Sequence, residues 1–125
     1  MRPMSRHTIL AMLMLAALLP VAALAADVSG KWTAQFDTQI GVQKYTYEFK
    51  VDGGKLTGKA TSENGSSDIQ EGKVSGDEVS FVEMLNFQDM KIRIEYKGKL
   101  AGDEIKFTRQ VGEFATEQLV AKRSK

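Results

Sequence analysis

Beyond Gly30 the chain alternates between apolar and polar residues. Trp32, Ala34 and Phe36 fall on one side, with Lys31, Thr33 and Gln35 on the other. Tyr45, Tyr47, Phe49 and Val51 alternate with Lys44, Thr46, Glu48 and Lys50. Ile92, Ile94, Tyr96 and Leu100 alternate with Lys91, Arg93, Glu95, Lys97 and Lys99. Successive side chains leave a strand on opposite faces, so a period of two marks strands with one buried face. No stretch after Ala26 keeps a helical period, and no helix is expected.

The breaks in the alternation are turns. Asp52-Gly53-Gly54-Lys55 separates two runs. The phrase VSGDEVSF at 74–81 returns as LAGDEIKF at 100–107. In both, glycine with aspartate beside it supplies the positive φ of a tight hairpin, and the glutamate opens the next strand on its solvent face. Val79, Phe81, Ile105 and Phe107 then point inward. The acidic pairs are read as hairpin punctuation. As calcium ligands they lack the further oxygens of an all-protein loop.

Eight strands follow, at 30–37, 43–52, 55–60, 67–73, 78–84, 90–100, 104–110 and 114–123. Short strands joined by tight turns predict an all-β, antiparallel up-and-down meander, which removes its edges by closing into a small barrel. A β-sandwich is the alternative. The outward faces are Lys, Thr and Glu, the reverse of a lipid-facing barrel, so the polar side is expected to meet water. The stripe of Lys91, Arg93, Lys97 and Lys99, with Glu95 in its middle, reads as a solvated face. The segments 38–42, 61–66 and 85–89 are the least regular and are expected to be loops. Phe87 in the last is expected to fold over the barrel end as a lid on the core.

The N-terminus changes the domain count. Arg2 and Arg6 precede an apolar run of 15 residues from 8 to 22, and Ala23-Leu24-Ala25 forms a small-x-small cleavage site. This is the layout of a signal peptide, 1–25, and the run falls short of the roughly 20 residues of a membrane span. A retained anchor is the alternative. Cleavage after Ala25 leaves 26–125 as a single barrel domain, periplasmic or secreted. Arg2 and Arg6 leave with the signal, so 15 basic and 16 acidic residues remain, a net charge of −1. Nothing in that balance recruits nucleic acid, and no membrane insertion is expected after cleavage. A monomer is expected.

The absences exclude whole chemistries. The single histidine, His7, and both prolines lie in the leader, and there is no cysteine. A Ser-His-Asp triad, a cysteine nucleophile, a histidine-ligated metal and a disulfide framework are therefore excluded. No cofactor and no metal is expected.

Gly30-Lys31-Trp32 opens the first strand, and Arg123 and Arg109 lie near the chain's end. A Gly-x-Trp with a late arginine resembles the lipocalin and fatty-acid-binding superfamily. The resemblance implies that Trp32 closes one barrel end with a guanidinium stacked on it, Arg123 being the better match and Arg109 the second. Gly30, Trp32 and Arg123 are structural on this reading. The mature chain, with its repeated Gly-Asp-Glu-(Val/Ile)-x-Phe hairpins, also resembles small secreted bacterial β-barrel proteins of unassigned function. Neither resemblance brings a substrate with it.

Two charges break the alternation. Glu83 continues the face of Val79 and Phe81, and Arg109 that of Ile105 and Phe107. Either they enter the same barrel end, or they sit at a rim and reach water. On the last strand the inward set is either Thr116 and Gln118 or Glu117 and Leu119. The leading expectation is a non-catalytic barrel that binds a small apolar or amphipathic molecule at one end. Tyr45, Tyr47, Phe49, Phe81 and Tyr96 would form its walls, with Glu83 and Arg109 as polar anchors. An empty cavity of about 300 Å³ would cost roughly 7 kcal/mol, too much for a domain worth about 5–15 kcal/mol. A pocket should thus be shallow, open and wet, or else small. A carboxylate-only glycoside hydrolase, or a carbohydrate-associated protein, is a second reading. It needs two inward acids about 5–9.5 Å apart, and Glu83 with Glu117 is the nominated pair. A structural envelope or interaction protein with a filled barrel is the third.

Overall fold

The computed structural model describes residues 26–124, so the signal peptide expected at 1–25 lies outside the described residues. Among the described residues nine strands carry the fold: β1 (Gly30–Thr38), β2 (Gly41–Asp52), β3 (Lys55–Ser62), β4 (Gly65–Asp68), β5 (Gln70–Ser75), β6 (Glu78–Phe87), β7 (Met90–Ala101), β8 (Glu104–Val111) and β9 (Ala115–Arg123). No helix occurs among the described residues. All pairings are antiparallel. The sheet runs β2-β1-β9-β8-β7-β6-β5-β3-β4, and β2 also pairs with β3, which closes the ring. The result is the eight-stranded meander barrel that the alternation predicts, with one extra strand.

The extra strand is a correction to the expected fourth strand at 67–73. That segment divides at Ile69 into β4 and β5, and β3 pairs with both: Lys59 to Ser62 lie against β4, Lys55 and Leu56 against β5. The register of β5 on β6 shifts between Gln70 and Lys73, and Glu71 adopts a left-handed φ of 53°. A bulge of this kind adds a residue and bends the strand. Ile69 stays buried, while the Glu71 carboxylate is gripped from outside by Arg93 at 2.7 and 3.1 Å.

The three expected loops are also shorter than the sequence suggests. The strands run on to two-residue turns at Gln39-Ile40, Glu63-Asn64 and Gln88-Asp89. Gln88 and Asp89 both have positive φ, 51° and 65°, the pairing that matches a hairpin's right-handed twist. These three turns and the 112–114 turn form one end of the barrel, here termed the mouth.

The opposite end, the base, carries the repeated phrase, and there its acids act as punctuation. Gly76 and Gly102 take φ of 58° and 64°. Each following aspartate also stitches its tip to the next hairpin through its backbone carbonyl. Asp77 accepts from the Leu100 amide and Asp103 from the Arg123 amide, both at 2.8 Å. Residues 26–29 cross this base. The Ala26 amide donates to Gly76, Val28 is fully buried, and Trp32 Nε1 donates to the Val28 carbonyl at 2.9 Å. Arg123 lies 4.4 Å from the Trp32 ring and donates to the Ser29 and Asp27 carbonyls. A cation over an indole face is attractive, so the base is plugged by packing and by charge at once.

Above the plug the barrel is filled with aromatic rings. Phe36, Tyr45, Tyr47 and Phe49 stack in a ladder with centroids 5.4–5.8 Å apart. Phe81 stacks on Tyr96 at 4.2 Å, and Phe107 meets both edge-on at 5.6 Å. Offset and edge-on pairs of this sort add to the area they bury. Gly98 leaves room for Phe107, its partner across β7 and β8. Gly58 has a different role. It faces Phe49 across β2 and β3 with φ 147°, and a Cβ there would collide with the Glu48 carbonyl.

Gly58→Ala is therefore expected to lower stability by about 3 kcal/mol, from backbone strain together with overpacking. Urea unfolding of the two proteins measures it. A loss within about 0.5 kcal/mol, the range of an ordinary surface substitution, would contradict this tight approach.

Candidate functional site

Strand register brings the charged residues together. Arg109 lies directly across from Tyr96 on β7 and from Glu117 on β9. Tyr96 in turn faces Phe81 on β6, and Glu83 is two residues further along that face. Directly opposed and diagonal neighbours across a sheet are within side-chain reach. Alternation then does the rest, turning all five side chains inward.

Glu83 and Arg109 are each only 3% exposed. The sequence left a rim position open for both, and the structure places them inside. Tyr45 Oη donates to Glu83 Oε2, and Tyr96 Oη to Oε1, each at 2.8 Å. Tyr47 Oη donates to Tyr96 Oη at 3.0 Å. Arg109 donates from Nε to Tyr96 Oη at 2.8 Å, from Nη2 to Tyr45 Oη at 3.0 Å, and from Nη1 to Glu117 Oε1 at 2.5 Å. Its Nη2 also lies 3.7 Å from Glu83 Oε1. The guanidinium carbon sits 5.2 Å from the ring centres of Phe36 and Tyr45 and 5.6 Å from that of Tyr96. No buried side-chain nitrogen or oxygen among the described residues lacks a partner. That matters because buried charges are tolerated only when fully hydrogen-bonded.

The network shifts the phenols strongly. Burial, assisted by the Glu83 charge, pushes the Tyr45 hydroxyl well above its ordinary value. Burial also raises Tyr96 and Tyr47, although the bond from Tyr47 to Tyr96 opposes the shift at Tyr47. For Arg109, burial alone would pull the guanidinium down. Tyr96, Tyr45 and Glu83 outweigh it, and the net shift is upward. The site thus holds a permanent cation and neutral phenols.

This network forms the floor of an open cup at the mouth, with a volume of about 260 Å³. Tyr45, Arg109 and Glu117 supply the polar floor. Leu85, Phe87, Ile92 and Val111 form apolar walls, and Ile40, Met90 and Phe114 stand at the rim. Each of those three rim residues is more than half exposed. Thr38, Gln39, Gln43, Asn64 and Gln88 add polar groups around it.

The expected ligand residues are thereby divided. Tyr45 and Arg109 line the cup. Tyr47, Phe49, Phe81 and Tyr96 do not; they are packed ring on ring below it, at most 5% exposed. Glu83 lies under Tyr45, with both its oxygens occupied. On the last strand Leu119 and Ala121 are buried and Glu117 points inward, which resolves the choice left open by the sequence. Glu83 and Glu117 do meet on one guanidinium, but only Glu117 lines the cup. Phe87 stands in the wall of the cup, not as a lid over a filled core. The walls at Ile92 and Val111 and the rim at Ile40, Met90 and Phe114 escaped sequence reasoning. Their signal was available: large apolar residues at or beside hairpin tips, where polar residues are the rule. No cluster of three or more carboxylates or imidazoles suited to a metal occurs among the described residues.

Compared with protein families, curated proteins and solved structures, the chain gives no match.

The chain has three tyrosines, and all three belong to this network. An absorbance titration of tyrosinate therefore reads the site alone. An unfolded chain gives up its phenolic protons near pH 10, while the folded one keeps them longer. The tyrosines should show no ionisation at pH about 10, and stability should fall as pH rises above that value through the folded ones. Phenolate appearing near pH 10 in the folded protein would contradict the network.

Proposed function

We propose that the protein is an exported, non-catalytic binding barrel that holds a small amphipathic molecule in the cup at its mouth. One observation carries this reading: the barrel is tightly filled through its lower part yet left open above Arg109, where apolar walls meet a polar floor. Pockets for small molecules share that composition, mostly apolar with a few convergent polar groups. A purely structural barrel would gain by filling the same space, since each apolar side chain moved out of water contributes roughly 1.5–3 kcal/mol. The exposed rim points the same way. Ile40, Val42, Met90 and Phe114, four of the five large exposed apolar residues among the described residues, lie at or beside the mouth turns. The cup's openness also meets the cavity penalty, because water can fill it when the ligand is absent.

The likeness to the lipocalin and fatty-acid-binding superfamily agrees with this reading: Gly30-Lys31-Trp32 opens β1, Arg123 stacks on Trp32, and the opposite end is free. The leader at 1–25 would deliver the protein to the periplasm or outside the cell, where it would act as a monomer without a cofactor.

Native and denaturing mass spectra of the mature chain, expressed with its leader, test the proposal. The expected result is a small, reproducible mass increment in the native spectrum that vanishes on unfolding. Ile92→Trp, which fills the cup from its wall, should abolish the increment while leaving the tyrosine titration unchanged. A native mass equal to the bare chain for both proteins, unaltered by mixtures of small amphiphiles, would overturn the proposal in favour of a structural barrel.

A further inference from the structure

The charge count in the cup narrows the ligand's chemistry, on the premise that the cup is a binding site. Among the described residues the buried cluster at its floor holds one guanidinium and two carboxylates, a formal charge of −1. The surplus has a definite location. Both Glu83 oxygens accept tyrosine hydroxyls below the floor. Glu117 is different. Its Oε1 is held by Arg109, and no hydrogen bond reaches its Oε2 among the described residues; since no buried polar side-chain atom there lacks a partner, that oxygen is open to the cup. The Glu117 side chain is only 10% exposed, and what it exposes is toward the cup. A nearly buried carboxylate with an unoccupied oxygen is an acceptor waiting for a donor, and most of all for a charged one.

Arg109 does not offer the opposite chemistry. Three of its five N–H donors are already committed, to Tyr96, Glu117 and Tyr45, and its single charge is outnumbered by the two carboxylates beside it. An incoming carboxylate would have to sit beside Glu117 in a nearly dry site. Like charges brought together there repel strongly. The approach to the cup has the same sign. Glu63, Asp89 and Glu113 sit on three of the four mouth turns, with Lys91 as the opposing charge beside them. Arg93, which also reaches this end, is paired with Glu71.

We propose that the cup selects cationic amphiphiles: a protonated amine donating to Glu117 Oε2, with an apolar body against Leu85, Phe87, Ile92 and Val111. The carboxylate end of a fatty acid is disfavoured by the same geometry.

Isothermal titration of the mature protein with hexylamine, hexanol and hexanoate at neutral pH and low salt is the test. The three probes share one apolar body and differ in charge. Hexylamine should bind roughly tenfold or more tighter than hexanol, as a hydrogen bond to a buried charge implies, and hexanoate should bind weakest. Glu117→Gln should bring hexylamine down to the level of hexanol and strengthen hexanoate. If hexanol or hexanoate binds the native protein as tightly as hexylamine, the cationic preference is wrong while the cup remains a binding site. If none of the three binds, both this inference and the binding function on which it rests are wrong.

Discussion

The structure turns on one buried ion pair. Arg109 and Glu83 enter the barrel from β8 and β6, and neither could remain there alone. Two charges taken out of water need hydrogen-bonding partners as well as each other. Here the hydroxyls of Tyr45 and Tyr96 and a second carboxylate supply them, and Tyr47 donates to Tyr96 behind. The consequence is positional. Tyr45 and Tyr96 must stand where their hydroxyls reach this pair, and Tyr47 where it reaches Tyr96, so their rings fill the space beneath it. The aromatic ladder and the charge network are one arrangement seen from two sides.

That arrangement divides the barrel. Below the pair the interior is packed with rings and sealed by Trp32, Val28 and Arg123. Above it the strands run on to the mouth, and nothing of comparable bulk fills the space between them. Strand length creates the cup, because β6 and β7 extend through Phe87 and Met90 past the level of Glu83. Removing Arg109 would leave Glu83 and Glu117 without a counter-charge, a loss of about 3–5 kcal/mol for buried partners. The floor is therefore held in place from all sides, while Ile40, Met90 and Phe114 at the rim are exposed.

Much of this was legible in the sequence, and for definite reasons. Period-two alternation fixed the strands and their inward faces, so Glu83 and Arg109 were visible as charges on apolar faces. Glycine-aspartate tips marked the base turns because positive φ there has a strong compositional signature. The mouth was harder. Gln88 and Asp89 adopt positive φ without a glycine, so the turn read as a loop. The segment at 68–72 has no alternation, and the bulge within it split a strand. The face of β9 was ambiguous because Thr116 and Glu117 are both polar, and only the register against β8 decides it. The depth of the cup was not legible either. Alternation tells which residues face inward but not how far down the barrel each one packs, so Tyr47, Phe49, Phe81 and Tyr96 were read as walls when they are filling.

The most direct test of the central claim is to observe the network's own protons. Proton NMR of the mature protein at neutral pH should show the hydroxyls of Tyr45, Tyr47 and Tyr96 and the Arg109 Nε–H as separate signals. Burial and full hydrogen bonding should slow their exchange with water enough for that. Signals merged with water would contradict the account: the pair would be solvated, and neither the dry base nor the built floor of the cup would stand.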